Sequence, residues 1–163
     1  ARIALFPGSF DPITNGHIEI VNRGLLLFDR VIVAVGVNSA KNTMFSPDQR
    51  LGWIRQHFAH EPRVSVQSYS QELTVAFARR MEARFILRGL RNAPDFEYER
   101  GIDLLNKHLD HGIETVYLIS SPDTSHVSST LVREIIKYRG DLRGVIPDAI
   151  IEDLYTTPAL AGS

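Results

Sequence analysis

IALFPGSFDPITNGHIEIV, residues 3–21, passes from a short apolar run through a turn-rich loop into a helical pattern. The run Ile3–Phe6 reads as a buried strand. The loop "PGSFDPITNGH" (7–17) holds two glycines and two prolines, with Ser9, Asp11, Thr14 and His17 between them. Gly, Pro, Asp, Asn and Ser turn the chain and cap the next helix. "IEIVNRGLLLF" (18–28) then has helical spacing. Strand, polar loop, helix is the opening unit of an open parallel sheet. In such sheets ligands sit beyond the carboxyl ends of the strands, where strand order reverses.

The rest of the chain repeats the unit. Short β-branched or apolar runs stand at 3–6, 31–35, 64–67, 85–87 and 115–119, with helical segments between them. This alternation predicts an α/β fold: a doubly wound, Rossmann-like five-stranded parallel sheet with helices on both faces. "SPDQ" (46–49) reads as a capping box, with Ser46 as N-cap, Pro47 in the first turn and Gln49 reaching back. The helix after it carries Leu51, Ile54, Arg55 and Phe58. A helix over 95–109 puts Tyr98, Gly101, Ile102, Leu105 and Leu109 on one stripe. Another starts near Ser128–Thr130 and runs to about Tyr138, with Gly140 as its stop. "PDAIIEDLY" (147–155) gives a last helix.

A chain of 163 residues can bury a core of its own, so 1–163 reads as one domain, with about 156–163 (TTPALAGS) as a loosely ordered tail. Lys and Arg number 18 against 19 Asp and Glu, a formal net charge of -1. That balance gives no reason to expect nucleic acid, so any anion site is local. Cysteine is absent, which removes disulfide and thiol chemistry and fits a reducing cytoplasm. "VIVAVGV" (31–37) is too short to span a bilayer, and no basic, apolar leader precedes the first strand, so no membrane partner is expected.

No G-x-G-x-x-G follows the first strand, and no G-x-x-x-x-G-K-[ST] occurs. A phosphate site must therefore be assembled from other pieces. "GSF" brings backbone N–H groups and the Ser9 hydroxyl. "TNGH" sets His17 at a helix start. "RGLR" puts Arg88 and Arg91 directly after a strand. "SSTLVR" puts three hydroxyls at another helix start. Helix N-termini and guanidinium groups are common anion binders, so convergence at one sheet edge describes a polyphosphate site.

T-x-G-H at 14–17 after "PGSFDP", "RGLRNAPDFEYE" at 88–99 and "VSSTLVRE" at 127–134 occur in that order. With these motifs the chain resembles the bacterial phosphopantetheine adenylyltransferases of the nucleotidyltransferase superfamily, over nearly its whole length. The resemblance implies attack of the phosphate of 4′-phosphopantetheine on the α-phosphorus of ATP, with Mg²⁺ assisting. Dephospho-coenzyme A and pyrophosphate leave. It makes His17 the catalytic residue, a transition-state stabiliser donating to an α-phosphate oxygen. Ser9, Lys41, Thr74 and Arg88 become contacts to phosphopantetheine, with Lys41 on the attacking phosphate. Ser9, the Phe10 backbone, His17, Gly89, Leu90, Arg91 and Glu99 become contacts to ATP. So does the run Thr124, Ser125, His126, Val127, Ser128, Ser129 and Thr130. The resemblance further implies Mg²⁺ held mainly by triphosphate oxygens and water, coenzyme A as a competing end product, and a homohexamer. The chain departs from the family pattern where aromatics often precede the hydroxyl cluster: Thr124 and His126 stand there, which bears on adenine packing rather than phosphate contacts.

Each residue also has a plainer reading. Ser9 and Thr14 can satisfy turn and cap donors, Asp11 before Pro12 reads as a structural turn former, and Arg88 can pair with Glu99 or Asp95. His57/His60 and His108/His111 have i, i+3 spacing, but no third ligand stands in a zinc motif. The rival functions are a nicotinamide or nicotinate mononucleotide adenylyltransferase, on the strength of "SSTLVR", a cytidylyltransferase, or a non-catalytic nucleotide-sensing module on the same fold.

Overall fold

The computed structural model describes residues 1–156, and the tail expected at about 156–163 lies, apart from Thr156, outside the described residues. Five parallel strands form one sheet in the order β3-β2-β1-β4-β5. They are β1 (Ile3–Gly8), β2 (Arg30–Gly36), β3 (Val64–Tyr69), β4 (Phe85–Leu90) and β5 (Glu114–Ile119). The helices are α1 (Asn15–Gly24), α2 (Pro47–His57), α3 (Thr74–Arg80), α4 (Ala93–Leu109), α5 (Ser129–Lys137) and α6 (Asp148–Tyr155). The doubly wound α/β expectation is met. The chain builds outward from β1 through β2 to β3, then crosses back to place β4 on the other side of β1. Strand order therefore reverses between β1 and β4, and the site belongs beyond their carboxyl ends.

Strand alternation sorts the core into two layers. Ala4, Phe6, Val31, Val33, Val35 and Leu87 face one layer with Ile18 and Val21 of α1, Leu51, Trp53 and Ile54 of α2, Val132 and Ile136 of α5, and Ile150 and Leu154 of α6. Leu5, Ile32, Ala34 and Ile86 face the other, against Val75, Phe77 and Ala78 of α3. Both faces of the sheet are covered, which is why its strands read as continuous apolar runs.

The helix signals were partly legible. Ser46 accepts from the Gln49 N–H and Gln49 returns the bond, the box read from the sequence. α4 begins two residues earlier than 95 because Asn92 caps it, accepting from Asp95 N–H at 3.0 Å, with Pro94 in the first turn. α5 ends in a Schellman turn: Gly140 N–H bonds Ile135 C=O at 2.8 Å and Arg139 N–H bonds Ile136 C=O at 3.1 Å. The left-handed residue there is Arg139 (φ 54°), not Gly140. α3 had no readable start, since its N-cap position is Leu73 and no side chain caps it. α4 departs most from the pattern: among its residues only Glu99 is buried, and its apolar stripe faces outward.

Candidate active site

The loop after β1 turns sharply because Phe10 takes a left-handed backbone (φ 49°). This conformation is costly for a bulky residue and persists only when packing enforces it. The packing is visible. The buried Phe10 ring meets Phe6 at 5.4 Å and His17 at 4.9 Å between centroids. A Cβ on Gly8 would stand 3.1 Å from that ring, so glycine makes room for it. The turn brings Ser9 to the mouth of the β1 edge and runs on to α1.

His17 is built into the start of α1. Thr14 is the N-cap; its hydroxyl accepts from His17 N–H at 3.3 Å, and its own N–H donates to His17 Nδ1 at 3.0 Å. A ring nitrogen that accepts from an amide carries no proton, so the imidazole proton is on Nε2. Burial pushes the His17 pKa down to about 3 from 6.5, with the nearby Arg88 and Arg91 charges acting in the same direction. The ring is therefore a neutral Nε2–H donor at physiological pH.

Because the unfolded chain protonates this imidazole near 6.5 and the folded chain near 3, stability is complete above the upper value and falls as pH drops through the window. The slope from this residue reaches at most about 1.4 kcal/mol per pH unit. His57, whose pKa burial also lowers, adds in the same sense. Urea unfolding between pH 7 and pH 5 is expected to show a shallower pH dependence for His17→Gln than for the parent chain. Equal slopes would contradict a histidine held neutral.

On one side of this loop lies a cavity of about 700 Å³, lined by Ser9, Lys41, Thr74, Arg88 and Glu99 among others. The four residues expected to meet phosphopantetheine thus share one wall system. Lys41 Nζ donates to Ser9 Oγ at 2.9 Å. Thr74, at the head of α3, bonds the Tyr69 hydroxyl at 2.9 Å, and Tyr69 stacks on Phe77. Arg88 donates from Nε to Glu99 Oε2 at 3.0 Å, from Nη2 to Glu99 Oε1 at 2.5 Å, and from Nη1 to Pro7 C=O at 2.5 Å. The structural pairing weighed for Arg88 is present, and it leaves one hydrogen on each terminal nitrogen for a ligand. Glu99, expected on the nucleotide side, lines this cavity beside Arg88. Asp103, Asn106 and Tyr117 add further polar groups to the lining. Burial, then Asp103 and Glu99, push the Tyr117 phenol up to about 12, so it stays a neutral donor.

The other expected residues lie outside this cavity's lining. Gly89, Leu90 and Arg91 close β4 and begin the turn into α4. Leu90 is buried and its C=O accepts from Ser120 N–H at 2.8 Å, while Arg91 is exposed and held by Asp95, Nε to Oδ2 at 3.1 Å. Gly89 also has a packing reason to lack a side chain: a Cβ there would meet Ile20 at 2.9 Å. In the 124–130 segment several groups are already engaged. Thr124 Oγ1 donates to Glu19, and Ser121 donates to the same carboxylate from N–H at 3.1 Å and from Oγ at 3.0 Å. Ser129 Oγ donates to Pro12 C=O at 3.0 Å, and Ser128 Oγ accepts from Leu131 N–H as the cap of α5. Ser125 Oγ donates to Pro122 C=O at 3.3 Å. Thr130 Oγ1 accepts from Arg133 at 3.2 Å. Val127 is buried in the core and His126 is exposed. Gly16 serves this segment rather than open space: its added Cβ would stand 3.3 Å from Val127 C=O.

Glu19 and Arg50 were missed as supports of the site, and Asp11 was read only as a turn former. Arg50, 2% exposed, donates to Ser9 C=O at 2.7 Å from α2. Asp11 receives two backbone N–H bonds from the loop that carries Lys41. These contacts span tens of residues and leave no local pattern. Among the described residues no group of three or more His, Cys, Asp or Glu is placed to hold a metal ion, the paired histidines included. Nor is any described helix long and apolar enough to cross a membrane.

A family model described as cytidylyltransferase-like matches residues 5–135. The chain is 47% identical to the phosphopantetheine adenylyltransferase of Flavobacterium johnsoniae, over 91% of this chain and 97% of that protein. It is 45% identical to the protein of that name from Nautilia profundicola, over 93% and 97% of the two chains. With the one from Levilactobacillus brevis the identity is 43%, over 91% of each.

Proposed function

The chain belongs to the phosphopantetheine adenylyltransferases, and we propose that it transfers the adenylyl group of ATP to the phosphate of 4′-phosphopantetheine, giving dephospho-coenzyme A and pyrophosphate. The observation that carries this reading is the juxtaposition of Lys41, Ser9 and Arg88 around one cavity with the neutral His17 at the adjoining helix start. Lys41 and Arg88 hold the acceptor phosphate, and Thr74 and the other polar groups of the cavity lining meet the pantetheine arm. Arg91, the β4–α4 turn and the backbone of 124–130 hold ATP. The phosphate oxygen attacks phosphorus as the bond to pyrophosphate breaks, and His17 Nε2–H donates to a nonbridging oxygen throughout. No covalent enzyme intermediate is needed; positioning and charge stabilisation suffice.

The Lys41 ammonium, the Arg88 guanidinium and the Ser9 hydroxyl suit phosphate oxygens, and of the carboxylates that also line the cavity Glu99 is held by Arg88. Mg²⁺, when bound, would be held mainly by triphosphate oxygens and water and would supply positive charge against the phosphates. A cytoplasmic location fits the cysteine-free composition. Coenzyme A shares the pantetheine arm and competes for the acceptor cavity.

Mixing the protein with Mg²⁺, ATP and each candidate acceptor, then measuring pyrophosphate, tests the reading. Release with phosphopantetheine alone supports it. Release with nicotinamide mononucleotide alone would replace it, and release with neither would leave a nucleotide-binding module.

A homohexamer is part of the proposal. α4 exposes Tyr98 (70%), Leu105 (58%), Leu104 (56%) and Phe96 (49%) on this single chain, more apolar surface than one helix ordinarily leaves to water. Sedimentation is expected to show the hexamer, and Leu105→Glu to shift it toward smaller species. Monomer alone across working concentrations would refute this.

A further inference from the structure

We propose that Asp11 is a positioning residue for Lys41 and thereby for the acceptor phosphate, an inference that rests on the adenylyl-transfer reading. Asp11 is 4% exposed. Its Oδ2 accepts from Met44 N–H at 2.8 Å and its Oδ1 from Phe45 N–H at 2.9 Å. Those amides lie three and four residues past Lys41, and both carboxylate oxygens are used on one side of the loop. The loop's other end is pinned by Asn38, whose side chain accepts from Ala40 N–H at 3.0 Å and whose C=O accepts from Lys41 N–H at 3.0 Å. Lys41 is thus the exposed tip of a segment tied at both ends, and its ammonium reaches Ser9.

Asp11 is itself held from the opposite direction. Arg133 of α5 donates to its C=O at 2.9 Å and stands 3.8 Å from its carboxylate. Arg133 also donates to Thr130 in the first turn of α5. One buried aspartate therefore joins the loop carrying the acceptor-side lysine to the helix start expected to hold ATP. A turn former before Pro12 needs none of this. A charged carboxylate accepting two amides makes a stiff anchor, since each charge-assisted bond is stronger than a neutral one.

The test is a double-variant cycle on Asp11→Asn and Lys41→Ala, with phosphopantetheine KM, kcat and calorimetric ATP affinity as readouts. Asparagine keeps the shape but presents an NH₂ to one of the two donors. Asp11→Asn is expected to raise phosphopantetheine KM about tenfold while ATP affinity changes less than about twofold, and to add little in the Lys41→Ala background. Hydrogen exchange provides a second measurement on the same protein. The Met44 and Phe45 amides are expected to be slow in the parent chain and to speed up in Asp11→Asn, with core strand amides unchanged. Equal fold-effects in both backgrounds would overturn the proposal, as would fast exchange of both amides in the parent chain. Should Asp11→Asn fail to fold, Asp11→Ser, which retains one acceptor, goes through the same cycle under the same criteria. A parent chain that releases no pyrophosphate with phosphopantetheine would overturn the function as well; an active parent with additive variants overturns only the role of Asp11.

Discussion

His17→Ala is expected to lower kcat by about 10²- to 10³-fold, or roughly 2.7 to 4 kcal/mol, while ATP affinity measured by calorimetry falls far less. The reason lies in how the ring is held. Thr14 N–H on Nδ1 fixes the tautomer, the ring packs edgewise against Phe10 and Phe6, and the first turn of α1 fixes the backbone. A donor held this way does not reorganise as charge on the α-phosphate oxygens shifts, so its effect is greatest in the transition state. Protonation plays no part: with a pKa of about 3 the ring is already neutral at pH 7. The kcat profile should therefore show no acid limb near pH 6.5 that disappears in His17→Gln. His17 also closes the cap of α1, so its variants must first be shown folded at the assay temperature. Near-normal kcat with a large loss of ATP affinity would reduce His17 to a binding residue.

What the sequence made legible was what is local. Apolar runs placed five strands because both sheet faces are covered, and Ser46–Gln49 announced α2 because a capping box lies within one turn. T-x-G-H was legible as a motif through the family resemblance, while the reciprocal capping of Thr14 and His17 came with the structure. The supports of the site were not legible, because they join distant parts of the chain. Asp11 reaches Met44 and Phe45, Glu19 reaches Ser121 and Thr124, and Arg50 reaches Ser9. None has a periodicity or a spacing that marks it.

Two glycines show the same limit from the other side. Gly16 stands in the sequence only as part of T-x-G-H, and in the fold it faces the Val127 carbonyl. Gly89 is an ATP contact by the resemblance, and in the fold it admits Ile20 of α1 against β4. A missing side chain is visible in a sequence; the neighbour that requires it is known only once the helices are in place. The exposed stripe on α4 was legible as a stripe, but a helical period does not say whether its apolar face turns inward or outward.

Arg88→Ala is expected to lower stability by about 3 kcal/mol, the upper scale for charge-assisted hydrogen bonds, since two of them to the buried Glu99 are lost from a half-buried guanidinium. A thermal midpoint about 10 °C lower at fixed protein concentration accompanies that loss. Glu99 is 6% exposed and receives two bonds from the guanidinium. Without Arg88 its carboxylate is left buried without its cation, and a buried charge without a partner is costly. Adding Glu99→Gln to Arg88→Ala removes the stranded charge and should recover much of the midpoint. Phosphopantetheine binding should not recover, since the two hydrogens that Arg88 keeps free for a ligand phosphate are gone in both variants. Midpoint and binding thus separate the two roles of one residue. If the single and double variants melted alike, the ion pair would be irrelevant to the fold. If binding returned with Glu99→Gln, Arg88 would act only by keeping the wall of the cavity in place.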